Sequence, residues 1–193
     1  MPVNVGRAHA VAVGETVCGD ASAVVTFAQG TLLCVADGLG HGPNAREAAD
    51  AACAHVAAYA GAPVEALLRD IDRALVGTRG AAVSVLALDP AGGRVLFAGI
   101  GNVELHALAP APIASPPTPG ILGRGIKNVR VWEHPLAEGD LFVLTSDGLS
   151  TRFELRALAH LEPQAIADAI VRGYHKKHDD ASCVVARVTA PSR

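Results

Sequence analysis

Aromatic side chains are scarce, with one Trp, two Tyr and four Phe making up 4% of the chain. A core built on large rings is therefore excluded, and the abundant Ala and Val point to one built from small aliphatics. An excess of basic charge is also missing. The formal net charge is −3 and the isoelectric point is near 6.2, so the electrostatic footprint of a nucleic-acid-binding protein is absent. The sixteen basic residues are scattered, and the densest group is His175, Lys176, Lys177 and His178. No apolar run approaches the roughly 20 residues that span a bilayer, which argues against a membrane protein. The opening MPVNVGRAHAVAVGE carries one Arg and no long apolar stretch, unlike a secretory leader. The four cysteines form no CxxC pair. Cys34, Cys53 and Cys183 lie in apolar segments and read as small core residues. Cysteine usage of this kind fits a reducing, cytoplasmic location.

What is present is a chain of 193 residues, half of them hydrophobic. That suits one packed domain with a sizeable core. Short apolar runs dominate at 10–17, 22–27, 31–36, 81–88, 94–100, 103–108, 128–134, 140–146 and 182–188. Turn signals at AQG (28–30), DPAGG (89–93) and AEGD (137–140) separate several of them. Such close spacing predicts antiparallel hairpins. Helices are predicted over 43–60, opened by Pro43 and closed by Gly61 and Pro63, and over 64–75, where Val64, Leu67, Leu68, Ile71 and Leu75 share a face. Pro163 opens a third over 163–177, and 151–161 has room for a shorter one. Strands, two helices, many strands, then a helix and a last strand make an α+β order rather than repeated βαβ units. TLLCVA and DLFVLTS are apolar on both pleat faces, so both faces need cover. Two packed sheets with helices outside meet that need. The proline-rich PAPIASPPTPG (110–120) reads as a stiff surface connection. Nothing marks a repeat or a second domain.

Two strands end in the same way. TLLCVADG stops at Asp37-Gly38, and DLFVLTSDG stops at Asp147-Gly148. Two others open on acids, with Asp20 before ASAVVTF and Asp179-Asp180 before ASCVVARV. In antiparallel pairing the end of one strand lies beside the start of the next, so these carboxylates can gather at one edge. Four carboxylates cannot all ionise together without a counter-charge. A hard divalent cation, Mg²⁺ or Mn²⁺, supplies one through oxygen ligands. The glycine after each Asp reads as clearance for waters and a backbone carbonyl in the shell. Two such ions would turn water into a nucleophile for phosphate esters. Asp50, Asp70, Asp72 and Asp168 fall in helical stretches as solvated residues, and Asp89 and Asp140 sit in turns.

VCGD (17–20), VADGLGHG (35–42), FVLTSDGL (142–149) and HDDASCVV (178–185) together resemble the metal motifs of PPM-type, metal-dependent serine/threonine phosphatases of bacteria. They occur in the family's order over residues 17–188. TRGAAVSVL (78–86), AGIGNVELH (98–106) and TPGILG (118–123) are similar to the narrower RsbX-like group of stressosome phosphatases. The resemblance implies an αββα sandwich of two antiparallel sheets between helix layers. It implies a bare, monomeric catalytic domain over 1–193 without a sensor domain. It implies two Mn²⁺ or Mg²⁺ ions bridged by Asp37, with the Gly38 carbonyl on one of them and Asp147 and Asp179 on the other. Asp20 matches the acid of the first motif, as a ligand or as an anchor for a metal-bound water. The implied substrates are phosphoserine and phosphothreonine in STAS-domain proteins of a stressosome-like complex.

The chain departs from the family at three places. The family's His after Asp-Gly is here Leu39, with His41 two positions later. His41 is open between general acid, phosphate contact and plain loop residue. Arg7 is the one basic residue before Asp20, where many non-bacterial relatives hold phosphate with an Arg. The hydroxyl of the last motif is Ser182. Other features read as structural. GIGN (99–102) lacks the full GxGxxG of a nucleotide loop and reads as a close strand approach. His175 and His178 read as solvated side chains at a helix end, Trp132 as a sheet-face residue, and Ser146 as no nucleophile, since no base stands near it in sequence. A catalytically weak PPM-like module that binds and sequesters a signalling protein is the alternative function. It predicts a lost ligand, whereas Asp37, Asp147 and Asp179 are all present.

Overall fold

The computed structural model describes residues 1–190. Its elements run β1 (Val3–Ala10), β2 (Asp20–Phe27), β3 (Gly30–Gly38), α1 (Pro43–Ala57), α2 (Val64–Ala74), β4 (Ala81–Asp89), β5 (Arg94–Ile100), β6 (Glu104–Leu108), β7 (Val131–Pro135), β8 (Leu141–Thr145), α3 (Leu155–Leu158), α4 (Pro163–Tyr174) and β9 (Ala181–Val188). One sheet has the order β2-β3-β4-β5-β7 and the other β1-β9-β8-β6, and every ladder within each sheet is antiparallel. The fold is the expected αββα sandwich.

Period two in the strands explains the layers. In β3, Leu32, Cys34 and Ala36 point to α1 and α2, where they meet Ala48, Ala52, Leu68 and Ile71. Leu33 and Val35 point the other way, into a core between the sheets with Phe97, Phe142 and Val184. A third core joins the second sheet to α4 through Val143, Cys183, Val185, Ile166 and Ile170. With both faces covered, β4 is buried along its whole length. Each Leu or Phe so buried contributes roughly 1.5–3 kcal/mol. Small residues let the layers approach closely. At Gly6 in β1, a Cβ would lie 2.3 Å from the backbone of α4 at Gln164.

One predicted strand is displaced. The apolar run 10–17 is mostly loop, and the first strand is Val3–Ala10. Val3 and Val5 enter the inter-sheet core while Ala8 and Ala10 pack toward α4. Polar Asn4, Arg7 and His9 mask this alternation along an edge strand. The segment after Ala10 is held off the sheet because the Asp180 carboxylate accepts the N–H groups of Ala12 (2.9 Å) and Gly19 (2.7 Å). The proline-rich connection is irregular, as expected. Trp132 tethers it by donating Nε1–H to the Pro116 carbonyl at 3.1 Å, with the Arg130 guanidinium over its ring. No helix among the described residues is long and apolar enough to cross a membrane.

Candidate active site

Asp37 shares the pleat face of Leu33 and Val35, so it looks into the seam between the sheets at its open end. Asp20 is its direct partner across the β2–β3 ladder and faces the same way. From the other sheet, Asp147 follows the end of β8 and Asp179 precedes β9, and these two strands are antiparallel neighbours with Thr145 opposite Cys183. The four carboxylates thus meet at one end of the sandwich. They do not share one sheet edge, as the hairpin argument supposed; each sheet contributes two, and the site lies across the seam.

Asp37, Asp147 and Asp179 line a pocket of about 480 Å³ together with Gly40, His41 and Asn102. No Lys or Arg is among its described lining residues. Asp20 stands behind this pocket. It is 3% exposed, and its Oδ2 accepts the Ser146 hydroxyl at 2.6 Å. Ser146 Oγ in turn accepts the N–H of Ser182 at 2.8 Å. Ser146 is therefore spent orienting Asp20, in accord with its exclusion as a nucleophile. Asp20 also borders a separate cleft of about 380 Å³ that holds Arg7, His9 and Arg46. Arg7 belongs to that rear cleft and not to the pocket of the other three acids.

Each remaining ligand candidate has its own support. Asn102 donates Nδ2–H to Asp147 Oδ2 at 2.7 Å, and Lys176 Nζ donates to the Asp147 carbonyl at 2.6 Å. Asp179 Oδ1 accepts the N–H of Asp180 at 2.9 Å, while its carbonyl pairs with His175 Nε2 at 2.8 Å. His175 is thus engaged beside the site rather than merely solvated. Of the acidic pair, Asp179 faces the pocket and Asp180 fastens the 12–19 segment. His41 is exposed at the pocket rim, with Nδ1 2.6 Å from Glu15 Oε1.

The glycines have a different physical reason from the one their sequence suggested. A Cβ on Gly38 would lie 1.9 Å from the Ala45 carbonyl of α1, and one on Gly148 would lie 1.8 Å from the Asp180 carbonyl. Both therefore serve close backbone contacts, which press the Asp-bearing turns against α1 and against the start of β9. Clearance for water is not what requires them.

Burial, and then repulsion from Asp20, Asp147 and Asp179, pushes the Asp37 carboxyl up to about 9. Burial also lifts Asp20 to about 7, with Asp180 the first of the repelling neighbours and the Ser146 hydroxyl opposing the shift. Asp179 is raised by burial and by Asp147. Among the described residues no three acids, histidines or cysteines are drawn into a closed cage. The carboxylates occupy the pocket's walls, as uncompensated like charges do. An all-oxygen donor set with surplus negative charge and adjacent space fits Mg²⁺ or Mn²⁺. Sequence alone assigns neither Asn102 nor Ser146 its role in orienting an acid. The GIGN stretch was the one signal for Asn102, and nothing in sequence linked Ser146 to Asp20.

Comparison with known proteins places this geometry. The family model described as Stage II sporulation protein E (SpoIIE) matches residues 28–189. The chain is 27% identical to the phosphoserine phosphatase RsbX of Bacillus subtilis (strain 168) over 139 residues, 71% of this chain and 70% of that protein. A solved chain from the bacterial stressosome, described as a modular system adapted to control secondary messenger signaling, superposes with a TM-score of 0.92 at 32% identity, covering 97% of this chain and 100% of that one. RsbX solved in complex with magnesium superposes with a TM-score of 0.86 at 21% identity, covering 97% and 96%. With two antiparallel sheets, a seam of acids at their open end and a family match over most of its length, the chain belongs to the SpoIIE family of PP2C-type phosphatase domains.

Proposed function

We propose that this protein is a metal-dependent serine/threonine phosphoprotein phosphatase, and that its substrates are phosphoserine or phosphothreonine in STAS-domain proteins of a stressosome-like complex in the cytoplasm. The observation that carries the reading is the set of four carboxylates, two from each sheet, three of them lining a pocket without Lys or Arg among its described residues and Asp20 standing behind it. The similarity to a phosphoserine phosphatase supports the reaction class, and the similarity to a stressosome chain supports the setting. Retention of all the acids disfavours a silent binding module.

Asp37, the Gly38 carbonyl, Asp147 and Asp179 would hold two Mn²⁺ or Mg²⁺ ions, with Asp20 contributing directly or through a water. Bound there, the ions would lower the pKa of the attacking water and offset the phosphate charge. The chain's own residues do the rest. Asp37 links the two halves of the site from the end of β3. Asn102 fixes the rotamer of Asp147, and Ser146 fixes that of Asp20. His41, with Nδ1–H held by Glu15, would in its imidazolium form carry a second proton on Nε2 to hand to the departing Ser or Thr oxygen. The acids turn away any anion that arrives without cations, so phosphate entry depends on metal.

The test is phosphate release from a phosphorylated STAS-domain protein by purified protein with Mn²⁺, abolished by EDTA. Absence of Mn²⁺-dependent turnover on both the phosphoprotein and p-nitrophenyl phosphate would favour the binding module. Turnover on the small ester alone would preserve the reaction and reject the proposed substrate.

A further inference from the structure

A further cleft adjoins the acid-lined pocket and shares Asn102 and Asp147 with it as a common wall. Its volume is about 490 Å³. The pocket of acids has neither Lys nor Arg among its described lining residues, whereas this cleft has both, in Lys176 and Arg152. Ser150 and Thr151 add hydroxyl donors, and Glu104 is the one acid besides Asp147.

Arg152 is presented to the cleft by a fastened loop. The Leu149 N–H donates to the Ser146 carbonyl at 3.2 Å, and the Ser150 N–H donates to the Tyr174 carbonyl at 2.9 Å. On the other side Phe153 is buried, with its ring edge-on to His106 and to Tyr174 at centroid separations of 4.9 and 5.8 Å. The backbone of Arg152 is thus anchored before and after it. Its side chain is exposed and has no ion-pair partner among the described residues. Lys176 spends one N–H on the Asp147 carbonyl at 2.6 Å, and an ammonium has two more to offer.

We propose that this cleft is a specificity subsite that takes the carboxylate side chain of an Asp or Glu in the substrate polypeptide, about two residues from the phosphorylated Ser or Thr. The inference rests on the phosphatase reading of the neighbouring pocket. An extended peptide rises ~3.3 Å per residue and alternate side chains share a face. A phosphoresidue above the acids and a carboxylate two positions along therefore both point into cavities that share one wall. With Asp147 engaged as a metal ligand, Lys176 and Arg152 outweigh Glu104 by one charge, which matches one carboxylate rather than a second phosphate dianion. The Arg152 guanidinium offers a carboxylate two parallel N–H donors.

The test compares phosphopeptides that carry a single Asp at each flanking position in turn with one whose flanks are all Ala, in Mn²⁺. Asp at the favoured position should lower KM about 3–10-fold with kcat unchanged, the mark of binding shared by ground and transition states. Arg152→Ala should remove that gain and leave p-nitrophenyl phosphate turnover unaltered, and Arg152→Glu should transfer the gain to a Lys-bearing peptide. Binding is read separately by NMR, with the dephosphorylated Asp peptide titrated into the intact chain at saturating Mg²⁺. The Ser150 and Thr151 amide signals should shift with a Kd on the order of millimolar, but not with the Ala peptide and not in Arg152→Ala. Absence of turnover on every phosphopeptide and on p-nitrophenyl phosphate would reject the phosphatase reading, while the NMR arm still decides the subsite. No gain from Asp at any position, a gain that survives Arg152→Ala, or tighter binding of phosphoserine than of Asp at the same flanking position would overturn the proposal.

Discussion

Replacing Asp37 with Asn removes a charge while keeping the side chain's shape, and it should make the metal-free protein more stable. Asp37 faces Asp20 across the β2–β3 ladder and Asp147 and Asp179 across the seam, and its carboxyl is pushed up to about 9. A carboxyl whose folded pKa lies above its unfolded value gains protons on folding. Its contribution is harmless at low pH and becomes a growing penalty as pH rises from about 4 toward 9. One pKa unit corresponds to ~1.4 kcal/mol, so at pH 7 the ceiling is about 4 kcal/mol. Asp37 is half-buried by surface exposure, and its repulsion is shared among coupled neighbours, so roughly 2 kcal/mol is the expected gain. At ~2–4 °C per kcal/mol for a chain of this size, the Tm should rise by about 4–8 °C in EDTA near neutral pH.

The assay is thermal unfolding of wild type and Asp37→Asn between pH 4 and 9, in EDTA and in Mn²⁺. In EDTA the variant should melt higher, with a gap that widens with pH and closes near pH 4. In Mn²⁺ the order should reverse, because ligand binding stabilises only the protein that retains the site. Turnover should be lost in the variant. A variant that melts at or below wild type in EDTA at pH 8, or that keeps the full Mn²⁺-induced rise, would refute the reasoning.

Asn102→Ala removes the 2.7 Å hydrogen bond to Asp147 and should raise the Mg²⁺ concentration needed for half-maximal turnover by about 10–100-fold; an unchanged metal dependence would count against the positioning role. Gly38→Ala places a Cβ 1.9 Å from the Ala45 carbonyl and should cost about 3 kcal/mol through displacement of α1, visible as a lower urea midpoint. His41→Gln should lower kcat by about 10²-fold with phosphoserine substrates if it protonates the leaving oxygen, and much less with p-nitrophenyl phosphate, whose leaving group needs little help; equal losses on both would reject the proton-donor role.

The layers were legible because they depend on local pattern. The alternation in TLLCVADG and the shared face of Val64, Leu68 and Ile71 both carry their burial in their spacing. Strand β1 was not legible, because Asn4, Arg7 and His9 interrupt its apolar positions and its partner β9 lies at the opposite end of the chain. The run 10–17 looks like a strand, yet Asp180 claims its backbone from 168 residues away at Ala12. The same distinction governs the site. Asp-Gly at two strand ends can be seen in sequence, whereas the purpose of those glycines depends on which backbone passes them. Asn102 and Ser146 act on partners 45 and 126 residues away, and no local spacing records that.

These two side chains also explain how like charges stay assembled across a seam. Ser146 follows β8 in one sheet and donates to Asp20, which opens β2 in the other. Asn102 lies on the crossing from β5 to β6 and donates to Asp147. Both ties span the seam at the end where the acids repel. The inter-sheet core around Phe97 and Phe142 holds the sheets together further in, but a hydrophobic contact is non-directional and does not set the spacing of carboxylates at the rim. Two short, oriented hydrogen bonds do. They fix Asp20 and Asp147 in position before any cation arrives, so the binding energy of the ions need not be spent on drawing the sheets together. The protein thus accepts repulsion among its acids as the condition for a preorganised site, and the neutral donors Ser146 and Asn102 restrain that repulsion without supplying the positive charge that would compete with metal.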